Sequence, residues 1–273
     1  MLSPRGRTWL ALLSAALFLV LVDVFVQGPL VRLDLWVIQF DGQRSVPSLN
    51  GAAWLFDKAG QRTVLIPVLL VVAGILAWRH RTWRPVSLAV FTVLSLNLVV
   101  GAMKILIGRA ETETGSVDVL TGGVIFPSGH ASNMVLTGGL IIYLLRRYTE
   151  RPPVRLLTAV VVVATMLTCA TSIYVGSHWV SDLIGGMLVG GLLLQAVIVF
   201  DRATVRARLL SERRIGGLAV VPEQVLLLRR FQADRNRVDA VAVSGGRLRG
   251  IVKEVSEVRP APAAADLSSP HTE

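Results

Sequence analysis

Residues 154–200 read VRLLTAVVVVATMLTCATSIYVGSHWVSDLIGGMLVGGLLLQAVIVF, two apolar runs (154–176 and 179–200) that meet at Ser177-His178-Trp179. A helix that crosses the hydrocarbon core of a bilayer needs about 20 mostly apolar residues, and both runs supply that length. Working outward, the same pattern recurs at 8–27, 63–79, 86–107 and 131–146. The run at 131–146 is short, so its span must begin among the small polar residues that follow His130. The expected fold is therefore all-α, an integral membrane six-transmembrane-helix bundle. Composition agrees. Of 273 residues, 53% are hydrophobic and only 17% charged, against roughly 25% charge in a soluble domain.

The formal net charge of +10 suits either a nucleic-acid partner or the basic cytoplasmic loops of a membrane protein. The second reading holds, because the basic residues flank the apolar runs; no nucleic acid is expected. One set of loops carries Arg5 and Arg7, then Arg79, Arg81 and Arg84, then Arg146, Arg147, Arg151 and Arg155, then Arg202, Arg206, Arg208, Arg213 and Arg214. The opposite set carries only Arg32, Arg44, Lys58, Arg62, Lys104 and Arg109, offset by acids such as Asp34, Asp57 and Glu111. Both termini are thus expected in the cytoplasm of a plasma-membrane protein, with 8–27 a retained anchor rather than a cleaved signal. The lone Cys169 excludes an intrachain disulfide, and the preference for Arg over Lys points to a bacterial source.

Residues 1–200 form the expected membrane domain and 201–273 a short, basic cytoplasmic tail. Within the tail, Leu218–Leu228 and Val238–Val255 read as a small hairpin or helix pair, and the chain reads as disordered from about 260. Between the first two spans, Leu30, Leu33, Trp36, Val37 and Phe40 are spaced as one face of a helix lying on the outer membrane surface. Gly186 and Gly190 are spaced to bring two helix backbones together in lipid.

Three groups place costly polar side chains at one membrane depth, the outer ends of spans. They are Lys104 with Arg109, the run Phe126-Pro127-Ser128-Gly129-His130, and His178 with Asp182. Pro-Ser-Gly ahead of a helix leaves free N–H groups and a positive dipole end for an anion. His178 and Asp182, four apart, share a helix face, so the carboxylate can orient the imidazole as a base or nucleophile. His130 adds a side chain suited to proton transfer near neutrality. Each group taken alone has a plainer use: an interfacial histidine as a structural hydrogen-bonder, Asp182 as a helix cap, Lys104 and Arg109 as snorkelling anchors. A zinc site from His130, His178 and Asp182 lacks a ligand motif, and no metal or other cofactor is expected. A transporter would bury its ionisable residues near the bilayer middle, unlike these.

The set Lys104…Arg109, Pro127-Ser128-Gly129-His130 and His178-x-x-x-Asp182 resembles the type 2 phosphatidate phosphatase family, whose core is related to vanadium haloperoxidases. The resemblance runs from about 28 to 200. It implies a metal-independent phosphatase that hydrolyses lipid phosphates or isoprenoid diphosphates at the extracytoplasmic face. By that resemblance His178 is the nucleophile that forms a phosphohistidine, Asp182 its orienting partner, and His130 the acid for the leaving group. Lys104, Arg109, Ser128 and Gly129 are the implied phosphate binders, with a lipid phosphate as substrate and membrane lipids as neighbours; the oligomeric state stays open. The family's first motif ends in Arg-Pro where this chain has Glu111-Thr112, and its third begins with Ser-Arg where this chain has Thr171-Ser172. Ser or Glu cannot replace a bidentate guanidinium. The alternative is accordingly a relative that binds lipid phosphate without hydrolysing it, or passes a phosphoryl group between lipids.

Overall fold

Helices account for the regular structure of the computed structural model, which describes residues 4–39 and 46–214. They are α1 (Pro4–Val26), α2 (Pro29–Val37), α3 (Asn50–Ala59), α4 (Arg62–Arg79), α5 (Arg84–Ile107), α6 (Gly129–Tyr148), α7 (Val154–Tyr174) and α8 (Val180–Arg214). The tail segments around 218–228 and 238–255, and the stretch expected to be disordered from 260, lie outside the described residues, as does Phe40.

Local chemistry sets the helix ends. Pro85 opens α5, where its missing N–H costs nothing. That helix stops at Gly108, which sits at φ +56° and donates its N–H to the Lys104 carbonyl at 3.0 Å, the left-handed geometry that glycine adopts freely. Ser128 caps α6, its hydroxyl accepting from Ala131 N–H.

Five helices among the described residues are long and apolar enough to cross a membrane: α1, α4, α5, α7 and α8. The expected span at 131–146 is present as a helix of 20 residues, α6, but it falls outside that group. The reason is its composition, with His130, Ser132, Asn133 and Thr137 in its first half. It packs against α4, α5, α7 and α8 and buries Ser132, Asn133 and Thr137, so neighbouring helices rather than lipid cover much of it. The lipid-facing helices show the converse, with Phe18, Leu19, Leu98, Ile105 and Val163 exposed.

Glycines set the central contact between α6 and α8. A Cβ on Gly186 would stand 2.5 Å from the Ser128 carbonyl oxygen, and one on Gly190 would stand 2.6 Å from that of Ser132. Backbone cannot swing aside. Gly186→Ala is therefore expected to destabilise the fold by about 1–3 kcal/mol, the usual cost of overpacking. Gly74→Ala on α4, where an added methyl meets nothing within 4 Å, should be neutral or slightly stabilising. Thermal unfolding in detergent checks both; equal midpoints for the two variants would refute this account of the contact.

The break between span and tail expected at 200 is not a helix end. Helix α8 runs on to Arg214, and Asp201 is buried within it. Its carboxylate accepts from Arg84 Nε at 2.9 Å, Arg147 Nη1 at 2.6 Å and the Tyr143 hydroxyl at 2.6 Å. An acid that reads as the start of a polar tail thus ties α5, α6 and α8 together.

Helix α2 turns its polar-containing face inward and leaves the expected apolar face outward. Leu33 and Trp36 are exposed, while Val31, Asp34 and Ile38 face the protein. The apolar face is left outward, as suits a helix resting at the membrane surface.

Candidate active site

At one end of the bundle the N-termini of α4, α6 and α8 come together with the C-termini of α5 and α7. A cavity of about 420 Å³ opens there, lined by Arg62, Lys104, Gly129, His130, Asn133 and His178 among others, with Ile66, Leu96 and Val100 as its apolar wall. The two histidines, 48 residues apart in sequence (178 less 130), meet edge to face with ring centroids 5.6 Å apart. Among the described residues no carboxylate lines the cavity.

Each imidazole has an acid behind it. His178 Nδ1 lies 3.6 Å from Asp182 Oδ2, within ion-pair reach but too long for a hydrogen bond. The same oxygen accepts from Trp179 N–H at 3.0 Å, so Asp182 also caps the start of α8. One carboxylate thus serves the helix start and stands beside the His178 ring. His130 Nε2 lies 3.8 Å from Asp57 Oδ2. Asp57, on α3, is buried and accepts a hydrogen bond from the Ser172 hydroxyl at 2.7 Å.

Sequence reasoning did not single out Asp57 or Asp34. The signal was an acid spaced among residues that turn inward together: Ala53, Asp57 and Gly60 on one stripe, Val31, Asp34 and Ile38 on another.

Arg109 is not where a phosphate binder must be. It is fully buried and absent from the cavity lining. Its Nη1 donates to Asp182 Oδ1 and to Ser181 Oγ, each at 2.6 Å, and its Nη2 donates to Asp34 Oδ2 at 2.8 Å. Asp34 is held further by the Ser181 N–H at 2.9 Å and the Ser181 hydroxyl at 2.5 Å. Burial pushes the Asp34 carboxyl above its ordinary range, opposed by the hydrogen bonds from Ser181 and Arg109. The Trp179 ring covers the guanidinium at 5.5 Å. Two buried carboxylates hold this cation away from the cavity.

Ser128 needs a similar correction. It is fully buried and its hydroxyl caps α6, while its N–H donates to the Asp182 carbonyl at 2.9 Å. It joins the two motif helices rather than facing the cavity. Gly129 and Lys104 do reach the lining. A Cβ on Gly129 would meet nothing within 4 Å, so the space beside it is open. The Lys104 ammonium donates to the carbonyls of Val124 and Ile125.

The two vacated arginine positions have other uses here. Glu111 is exposed and accepts from Val124 N–H at 3.0 Å, which steadies the loop ahead of α6. Ser172 anchors Asp57. Among the described residues no three His, Cys, Asp or Glu side chains converge on a point that could hold a metal ion.

Fold and site define a multi-pass helical membrane protein with paired imidazoles beside a cationic cavity at one end of its bundle. Residues 85–206 match the family model of the PAP2 superfamily, the class that the motifs of this chain resemble. Phosphatidylglycerophosphatase B of Bacillus subtilis (strain 168) is 28% identical over 169 residues, which cover 59% of this chain and 80% of that protein. The crystal structure of a transmembrane PAP2 type phosphatidylglycerolphosphate phosphatase from Bacillus subtilis superposes with a TM-score of 0.57. It shares 21% sequence identity and covers 73% of this chain and 95% of the other, a likeness of fold.

Proposed function

We propose that this protein is a membrane lipid phosphatase acting through a phosphohistidine at the extracytoplasmic face. The observation that carries the reading is the His130–His178 pair, 5.6 Å apart on the wall of one cavity and each backed by a buried aspartate. With Nδ1 turned to Asp182, His178 Nε2 is left to attack phosphorus. A P–N bond forms as the P–O bond to the lipid breaks, and the departing oxygen takes its proton from His130. Water then gives a proton to His130 and attacks phosphorus, the P–N bond breaks, and phosphate leaves with His178 regenerated. Asp182 and Asp57 hold the two rings in register, while Lys104 and the Gly129 N–H at the start of α6 attract the anion. The mechanism asks for no metal.

The outward orientation rests on charge. Arg79, Arg81, Arg84, Arg146 and Arg147 gather at the bundle end away from the cavity, as cytoplasmic loops do. The match to the PAP2 superfamily model, with a phosphatidylglycerophosphatase among the relatives, points to a lipid phosphate as substrate.

The test is phosphate release by purified protein in detergent from phosphatidylglycerophosphate, phosphatidate and an isoprenoid diphosphate, with and without EDTA. Release from at least one, undiminished by EDTA, is the expected result. Binding of all three with release from none would overturn hydrolysis. It would favour the binding or phosphoryl-transferring alternative, which gains from one observation: Glu111 and Ser172, at the two expected arginine positions, both serve internal contacts.

A further inference from the structure

The lining of the cavity is basic. It holds two basic side chains, Arg62 and Lys104, and, among the described residues, no carboxylate. Lys104 is partly committed to the carbonyls of Val124 and Ile125. Arg109, the guanidinium nearest the histidines in sequence motif, is buried between Asp34 and Asp182.

Arg62 differs from both. It stands at the first position of α4, and its hydrogen bond runs from Nη1 to the amide oxygen of Asn97 on α5, at 3.1 Å. That acceptor is neutral, so it aims the guanidinium without neutralising it. Among the described residues Arg62 meets no carboxylate. Its side chain shares the cavity with His130 and His178 and with the apolar wall of Ile66, Leu96 and Val100. A ligand with a phosphate at the imidazoles and a hydrocarbon chain along that wall would pass it.

We infer that Arg62, tethered by Asn97, is the guanidinium that binds the substrate's phosphate group in this protein. It supplies from α4 the planar, two-pronged donor that the positions of Glu111 and Ser172 do not. The inference rests on the lipid-phosphatase reading for its substrate, though not for its anion. A guanidinium paired with a phosphate outlasts an ammonium in the same place, because two parallel N–H groups meet two oxygens.

Two measurements on full-length protein in detergent test it: KM and kcat for the lipid phosphates above, and the Kd of inorganic phosphate by calorimetry. Arg62→Ala is expected to raise both KM and the phosphate Kd roughly tenfold to a hundredfold, the worth of a charge-assisted hydrogen bond or two. Arg62→Lys should recover part of that loss. Arg79→Ala, at the far end of the same helix, controls for loss of surface charge and should move neither constant. An anchoring role for Arg62 would lower the unfolding midpoint and leave KM and Kd in place, which would overturn the inference. If wild-type protein hydrolyses lipid phosphate and Arg62→Ala does so with unchanged constants, the inference falls and the phosphatase reading stands. If wild-type protein hydrolyses nothing yet binds phosphate, and Arg62→Ala does not, the inference stands and hydrolysis falls.

Discussion

His178→Ala is expected to reduce phosphate release by about 10⁴-fold or more, the scale seen when a catalytic nucleophile is removed outright. The side chain sits at the start of α8 with Asp182 behind it, on the wall of the cavity. The motif resemblance gives His178 the nucleophile's role and leaves His130, its ring turned toward Asp57, as the acid. Substrate affinity should change far less, because the cations and the Gly129 N–H remain. A second signature separates chemistry from collapse. Acid-labile phosphate should be trapped on the wild-type protein after rapid quenching with labelled substrate, and be absent from the variant. Turnover that persists in His178→Ala at near the wild-type rate would remove the phosphohistidine from the mechanism.

Arg109→Ala is expected to cost about 3–5 kcal/mol of stability, because it strands Asp34 and Asp182 as unpaired carboxylates in the interior. Both ion pairs are short, 2.8 and 2.6 Å, and all three side chains are wholly buried. Asp182 would also lose the partner that fixes the oxygen opposite His178, so activity should fall together with the unfolding midpoint. Arg109→Lys keeps the charge but cannot span both carboxylates and Ser181 at once, so it should recover only part of the stability. If the guanidinium instead served substrate, Arg109→Ala would raise KM and leave the unfolding midpoint at its wild-type value. Thermal unfolding in detergent beside steady-state kinetics decides between these outcomes.

The apolar runs made the helices legible because hydrophobic length is a one-dimensional property. Each of the six runs lies in a helix, with ends displaced by a few residues except at α8. They could not tell that α6 is sheathed by other helices, since that depends on which runs become its neighbours. The histidines and Asp182 were legible for a related reason: His178 and Asp182 are one helical turn apart, and Pro-Ser-Gly-His marks a helix start within five residues of Phe126. Ser128 and Arg109 were legible as important residues but not in their roles. Being near the motif along the chain does not say which face of the motif a side chain reaches.

By itself, then, the sequence determined an all-helical membrane bundle, the end of it that carries the polar chemistry, and the pair of imidazoles expected there. Only the tertiary structure decided how the charges are shared out. Arg109 finds Asp34 and Asp182 across separations of 75 and 73 residues, Ser172 finds Asp57 across 115, and Arg62 is left facing the cavity. Hydrophobic periodicity encodes how each segment turns toward lipid or protein, one segment at a time. Which cation a buried carboxylate neutralises is fixed only when distant segments dock, because the low polarity of the interior forces every charge there to take a partner.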